Sequence, residues 1–128
     1  ILSSHESELE HNYIHFEYSI QIPEKIAVSD VDMTAILSNA LENAIHAVLK
    51  LPESRREIKL DIRLNEEKLL LSLKNTYADK PEFVNGLPYT SEAEHGFGTK
   101  SIWYVAEKLN GSCQFSVTDT YFILRVIL

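Results

Sequence analysis

Cysteine occurs once in the 128 residues, at Cys113. A lone thiol closes no internal disulfide and offers no cysteine-based zinc spacing; it fits a reducing compartment. Glycine and proline occur four times each, which leaves no room for a low-complexity linker, and no internal repeat is visible. Cations are in the minority: 12 Lys and Arg face 19 Asp and Glu, for a net charge of −7. A phosphate backbone is recognised by clustered Lys and Arg, so no nucleic-acid partner is expected. No apolar run approaches the roughly 20 residues that span a bilayer, and no basic segment precedes an apolar one at the N-terminus. This fragment is therefore expected to make no membrane contact. The first residue is Ile rather than Met, so the chain is expected to be a piece of a larger protein whose removed part could include a membrane anchor. Gly-x-Ser-x-Gly, Walker A and Rossmann fingerprints are missing as well.

What is present is an ordinary mixture, 45% hydrophobic and 24% charged, long enough for one domain with a real core. Residues 1–12 are polar and acidic without a clean period, an approach segment or a frayed helix end. Ile14, Phe16, Tyr18 and Ile20 alternate as in a strand that Pro23 ends. Ser29 or Asp30 can cap a helix that stops near Leu49, before Pro52. Ile58, Leu60, Ile62 and Leu64 alternate with polar residues, and after a turn at Asn65-Glu66-Glu67 a second strand runs from Leu69 towards Asn75; together they predict a hairpin. Residues 76–95 have no sustained period and are read as a lid or binding loop. The pattern then predicts a helix over 99–109, stopped by Asn110-Gly111, and strands over 112–117 and 121–127. Two amphipathic helices can cover one face of a single sheet, which predicts an α+β two-layer sandwich.

Two stretches carry chemistry. In the long helix, Leu37, Leu41, Ala44 and Val48 make an apolar stripe, while Asn39, Asn43 and His46 share the opposite side at i, i+4 and i+7. Asn costs about 0.7 kcal/mol in a helix interior relative to Ala, so two of them one turn apart suggest a row of ligands; a solvated face is the plain alternative. In the second stretch, Gly96-Phe97-Gly98 opens the predicted helix. Glycine permits close backbone approach and positive φ, and a helix start offers unpaired N–H groups, which together suit a phosphate. Thr99 and Ser101 would add hydroxyls, Lys100 a point charge, and His95 precedes them; a tight turn with a helix cap is the plain alternative here. A polar helix wall and a glycine-rich helix start with a long loop between them suit a nucleotide with Mg²⁺, which binds through one or two protein groups and phosphate oxygens.

Asn39-Ala-Leu-Glu-Asn43-Ala-Ile-His46 resembles the N box of the GHKL superfamily, the Bergerat-type ATPase fold shared by histidine kinases, gyrase B and MutL. His95-Gly96-Phe97-Gly98-Thr99-Lys100-Ser101 resembles its second glycine box, in the wording of sensor histidine kinases of the peptide-pheromone, LytTR-linked group. The resemblance covers residues 13–128, the expected catalytic domain, and implies a mixed, mostly antiparallel sheet with helices on one face. It implies ATP and Mg²⁺ as cofactors. Asn43 would hold the metal, with Asn39 beside it and His46 at the phosphates. Gly96 and Gly98 would hinge the lid and supply backbone donors, and Thr99, Lys100 and Ser101 would sit at the phosphate-facing helix start. The implied partners are a histidine on a separate dimerisation domain, which receives the phosphoryl group, and a response regulator. The implied setting is the cytoplasmic side of a membrane-anchored sensor.

The chain departs from the family pattern at the first glycine box, whose Asp reads the adenine amino group: here the strand ends at Lys74-Asn75-Thr76. Asn75 is the candidate in its place, since a carboxamide can both accept and donate. Asn39 stands where the hydrolysing branches carry a Glu, and an amide takes no proton from water, which favours transfer over hydrolysis. Two other readings remain open: a degenerate GHKL domain serving as a regulatory or interaction module, and an anti-sigma-type serine kinase. His5-Glu6 resembles a phosphoacceptor pair but lies too close to Asn39 for a helical acceptor domain to intervene. Glu42 reads as a solvated neighbour, Trp103, Val105 and Ala106 as helix packing, Arg55-Arg56 as loop surface and Cys113 as inert core.

Overall fold

Ser29 ends an irregular stretch and starts the longest helix: its hydroxyl accepts the Asp32 N–H at 3.2 Å. The computed structural model describes residues 2–89 and 93–128, with side chains over 4–88 and 98–128. Along the chain run α1 (Leu2–His11), β1 (His15–Gln21), α2 (Asp30–Val48), β2 (Glu57–Asn65), β3 (Lys68–Thr76), β4 (Glu82–Val84), β5 (Leu87–Tyr89), α3 (Ala93–Lys108), β6 (Ser112–Val117) and β7 (Tyr121–Ile127). One short 3₁₀ turn, Glu53–Arg55, links α2 to β2.

Five strands form one sheet in the order β1-β2-β3-β7-β6. β1 and β2 are parallel and every other neighbouring pair is antiparallel. A parallel pair needs a crossover, which α2 supplies. The alternation of β2 and β3 sends Ile58, Leu60, Ile62, Leu69, Leu71 and Leu73 to one buried face. In register with Leu60 and Leu73 lie Leu124 of β7 and Phe115 of β6, so one apolar row crosses four strands. Against this face pack Ile36, Leu37, Leu41, Ala44 and Val48 of α2 and Ile102, Val105 and Ala106 of α3, all buried in the same cluster. Each of the Ile, Leu and Val side chains among them stabilises the fold by about 1.5–3 kcal/mol. The expected two-layer α+β sandwich is the fold observed. Among the described residues, no helix is long and apolar enough to cross a membrane.

Turn chemistry fixes the hairpins. Glu66 and Glu67 both take positive φ (50° and 70°) between the paired Asn65 and Lys68, the two-residue geometry that follows strand twist. The segment read as an aperiodic loop contains a second, separate hairpin. β4 and β5 are joined at Asn85 and Gly86, with φ of 54° and 80°; residues 90–92 of the expected lid lie outside the described residues. α3 ends as expected. Asn110 (φ 58°) donates to the Glu107 carbonyl and Gly111 to the Ala106 carbonyl, a Schellman closure with Asn in the left-handed position. A Cβ on Gly111 would sit 2.2 Å from the Ile127 carbonyl oxygen, so glycine is required there by close approach. α1 occupies the stretch read as an approach segment or a frayed helix end, and it closes the same way: Tyr13 takes φ 53° while Ile14 N–H reaches the Leu9 carbonyl at 3.0 Å. Leu9 and Ile14 are both buried.

Candidate functional site

The polar stripe of α2 is a seam. α3 lies antiparallel along it: Lys108 Nζ meets Asp32 Oδ1 at 2.8 Å near the start of α2, and Gly98 faces Asn39 one helix-half further on. Asn39, Asn43 and His46 are half-buried, whereas Glu42 on the neighbouring face is exposed. The plain alternative of a solvated face is therefore not what the fold presents.

Two amides are oriented by their own backbones. Asn39 Nδ2 donates to the Ala35 carbonyl at 2.7 Å, so its carbonyl oxygen is the group left to act as an acceptor. That oxygen lies 3.9 Å from where a Gly98 Cβ would stand. Asn75, 2% exposed, donates from Nδ2 to the Thr76 carbonyl at 2.8 Å, which again leaves the oxygen as acceptor. Asn75 pairs with Ile58 and Phe122, so it is the polar member of an otherwise apolar row on the helix-facing side of the sheet. The short connection after α2 returns the chain to β2 next to Ile58, which puts Asn75 at the end of the sheet that the C-terminal half of α2 approaches. Among the described residues, the Asn43 carboxamide makes no side-chain hydrogen bond. One turn from Asn39, it offers the hard oxygen donor that Mg²⁺ accepts alongside phosphate oxygens.

The glycine string differs from expectation. α3 begins at Ala93 and encloses His95, Gly96 and Gly98, so Thr99, Lys100 and Ser101 lie within the helix rather than at its start. Glycine costs about 1 kcal/mol in a helix interior, yet Gly98 keeps a non-positive φ and its missing side chain lets the helix approach Asn39. Thr99 is buried with Ile102 and Ala106, Ser101 is half-buried and Lys100 is exposed. The side chain of His95 and the surroundings of Gly96 lie outside the described residues. Trp103, expected in the helix packing, is 44% exposed, while Val105 and Ala106 are buried as expected.

Electrostatics mark the edges of the site. The Lys108 ammonium, against some opposition from burial and with help from Ser29, holds the Asp32 carboxyl below the ordinary carboxylate range. At the far end of the sheet, burial pushes the Glu57 carboxyl up. The Tyr121 hydroxyl at 2.9 Å and the Lys59 ammonium at 3.1 Å outweigh it and hold the group low. Cys113, read as core, is half-buried against the core cluster, and burial pushes its thiol up to about 12.

Some positioning residues had no signal in the sequence. Arg56, read as loop surface, donates from Nε to the Leu51 carbonyl (3.0 Å) and from Nη1 to the Asn12 carbonyl (2.7 Å). Thr76 Oγ1 donates to the Arg55 carbonyl at 2.8 Å and accepts from Glu57 N–H at 3.2 Å, anchoring the strand end beside Asn75. His5 is buried, with Nε2 3.8 Å from Glu42 Oε1, a packing position unlike that of a phosphoacceptor.

These features belong to one family. The sequence profile of the GHKL domain family matches residues 28–128, and the chain is a member of it. The fold is that of histidine kinase catalytic domains. The catalytic domain of the histidine kinase ThkA, in a nucleotide-free form, superposes with a TM-score of 0.77 at 17% identity, over 99% of this chain and 86% of that one. Acinetobacter baumannii histidine kinase AdeS gives 0.69 at 13% identity, over 99% of this chain and 59% of that one. An Erythrobacter litoralis blue-light activated histidine kinase gives 0.65 at 16%, over 99% and 40%. The chain thus spans little more than half of AdeS, and at these identities the likeness is one of fold. No curated protein matches the sequence significantly.

Proposed function

We propose that this chain is the ATP-binding catalytic domain of a two-component sensor histidine kinase, over residues 13–128. In this reading Mg-ATP lies in the seam between α2 and α3. The observation that carries it is the meeting of the two motifs: Asn39 of the N box points its oxygen at Gly98 of the glycine box. ATP supplies the γ-phosphoryl group, and Mg²⁺ offsets the phosphate charge. Asn43 holds the metal through its oxygen. Asn39 fixes the adjacent phosphates, His46 lies one turn beyond at their edge, and Asn75 accepts from the adenine amino group with the oxygen that its bond to Thr76 leaves available. Gly96 and Gly98 allow close backbone approach, and His95, Thr99, Lys100 and Ser101 complete the phosphate end.

No carboxylate stands at position 39, so the site positions the phosphoryl group without a base for water. The acceptor is then a histidine on a helical dimerisation domain, which passes the phosphoryl group to a response regulator. The glycine-box wording favours the peptide-pheromone, LytTR-linked type, with this domain on the cytoplasmic side of a membrane-anchored sensor.

Calorimetric titration of ATP with and without Mg²⁺ tests the reading. Wild type is expected to bind in a Mg²⁺-dependent manner, and Asn43→Ala to lose at least about tenfold in affinity, equivalent to 1.4 kcal/mol. A wild-type protein that ignores millimolar nucleotide sinks the proposal; an Asn43→Ala variant with unchanged Mg²⁺ dependence sinks the metal assignment.

A further inference from the structure

Among the described residues, nothing pairs with the outer side of β1, an edge of the sheet. β1 runs seven residues with no bulge, lysine or proline, and six of the seven are exposed. Natural edges carry such devices because an open ladder recruits another strand. The direction of the open ladder is fixed by one bond: His15 N–H donates inward to the Arg56 carbonyl at 2.9 Å. Backbone groups alternate along a strand, so Glu17, Ser19 and Gln21 also face β2, while Phe16, Tyr18 and Ile20 present N–H and C=O outward. The side chains of these same three residues lie on the helix-facing side, in register with Ile58, Leu60 and Ile62. There Phe16 and Tyr18 stack at 5.5 Å, and Tyr18 and Ile20 are 62% and 39% exposed.

We propose that β1 is a homodimerisation edge, pairing antiparallel with β1 of a second copy across a two-fold axis at Tyr18. The strand is self-complementary in this register. Phe16 falls opposite the second Ile20, Tyr18 opposite itself, Glu17 opposite Ser19, and His15 opposite Gln21. Every outward backbone group finds a partner, apolar meets apolar on one face, and no like charges meet. A shift that centres the axis on Glu17 would oppose two carboxylates, which destabilises a cross-strand pair. The product is a continuous ten-stranded sheet, with an isologous contact that closes at two copies. The contact is a single pair of strands, so the dimer is a weak one, in the class of transient interfaces below about 1,200 Å².

Sedimentation equilibrium of the chain tests this. Wild type is expected to rise from monomer to dimer mass as concentration approaches about 1 mM, and the double variant Tyr18→Lys, Ile20→Lys to stay monomeric with unchanged circular dichroism. In a Cys113→Ser background, Tyr18→Cys is expected to form a disulfide-linked dimer, since directly opposed hydrogen-bonded residues lie about 5.5 Å apart between Cα atoms; Gln21→Cys, which faces His15, is expected to cross-link far less. A monomeric wild type at the highest concentration overturns the proposal. So does a lysine variant that dimerises as wild type does, or equal cross-linking by the two cysteine variants.

Discussion

The two ends of the α2–α3 seam are built from the same pair of helices and behave differently. At one end Asp32 and Lys108 neutralise each other at 2.8 Å, so that end is charge-balanced and closed. At the other end Asn39 faces a glycine, and among the described residues Asn43 offers an unengaged carboxamide. The contrast shows how a helix pair can be fixed and still receptive. The ion pair and the apolar underside set the spacing, and the polar amides wait where the spacing leaves room. An amide at the open end costs little without a partner, whereas a half-buried charge there would carry a desolvation penalty of its own.

The contrast can be broken most severely from beneath. Leu41 is fully buried under the seam, and Leu41→Ala is expected to cost about 2–5 kcal/mol, measured by urea unfolding, with nucleotide binding lost alongside stability. A smaller change separates the two properties. A Cβ at Gly98 would meet Asn39 Oδ1 at an ordinary 3.9 Å, so Gly98→Ala is expected to raise stability by up to about 1 kcal/mol through helix propensity. It should at the same time weaken ATP binding, because the added methyl occupies the approach to Asn39. A variant that is more stable and binds ATP as well as wild type would place the ligand elsewhere.

Acid acts on the closed end through Asp32 and on the far end of the sheet through Glu57. Asp32 and Glu57 have folded carboxyls below their ordinary values of 3.8 and 4.5. Their stabilisation is therefore complete above those values and is lost as pH falls through them towards the folded ones. Unfolding followed from pH 7 to pH 3 should show a decline that Asp32→Asn flattens. The smallest effect is expected from Lys108→Ala: the lysine is half exposed, so a slight loss of Tm at low salt should disappear at high salt.

Most of the frame was legible because its signals were periodic. The alternation of β2 and β3, the Ser29 cap and the stop at Asn110-Gly111 each rest on local chemistry that the tertiary fold left in place. The hairpin at Asn85-Gly86 was missed although Asn-Gly is a strong turn signal: its strands are three residues long, too short to show a period, and Pro88 argues against a strand. α3 starts at Ala93, ahead of the predicted Thr99, because the two glycines that read as a helix opening lie inside the helix. In the fold, Gly98 serves packing against Asn39, a tertiary reason that no window of sequence contains. Asn39 and Asn43 were visible as residues, but their orientation was not, since it depends on the Ala35 carbonyl and on the course of α3. Arg56 gave no signal, because its partners are carbonyls from two separate turns of chain, at Asn12 and Leu51, that only the fold brings together.

Those carbonyls give the guanidinium a consequence for motion. Arg56 holds Asn12 after α1 and Leu51 after α2, while its own strand starts β2. None of the three segments can swing away without releasing the others. In amide hydrogen exchange the end of α1, the end of α2 and the first residues of β2 should therefore open as one cooperative unit. Arg56→Ala should split that unit into three with separate protection. A pull on α1 would then be felt at the helix that carries Asn43, through an arginine that, among the described residues, binds carbonyls and no carboxylate.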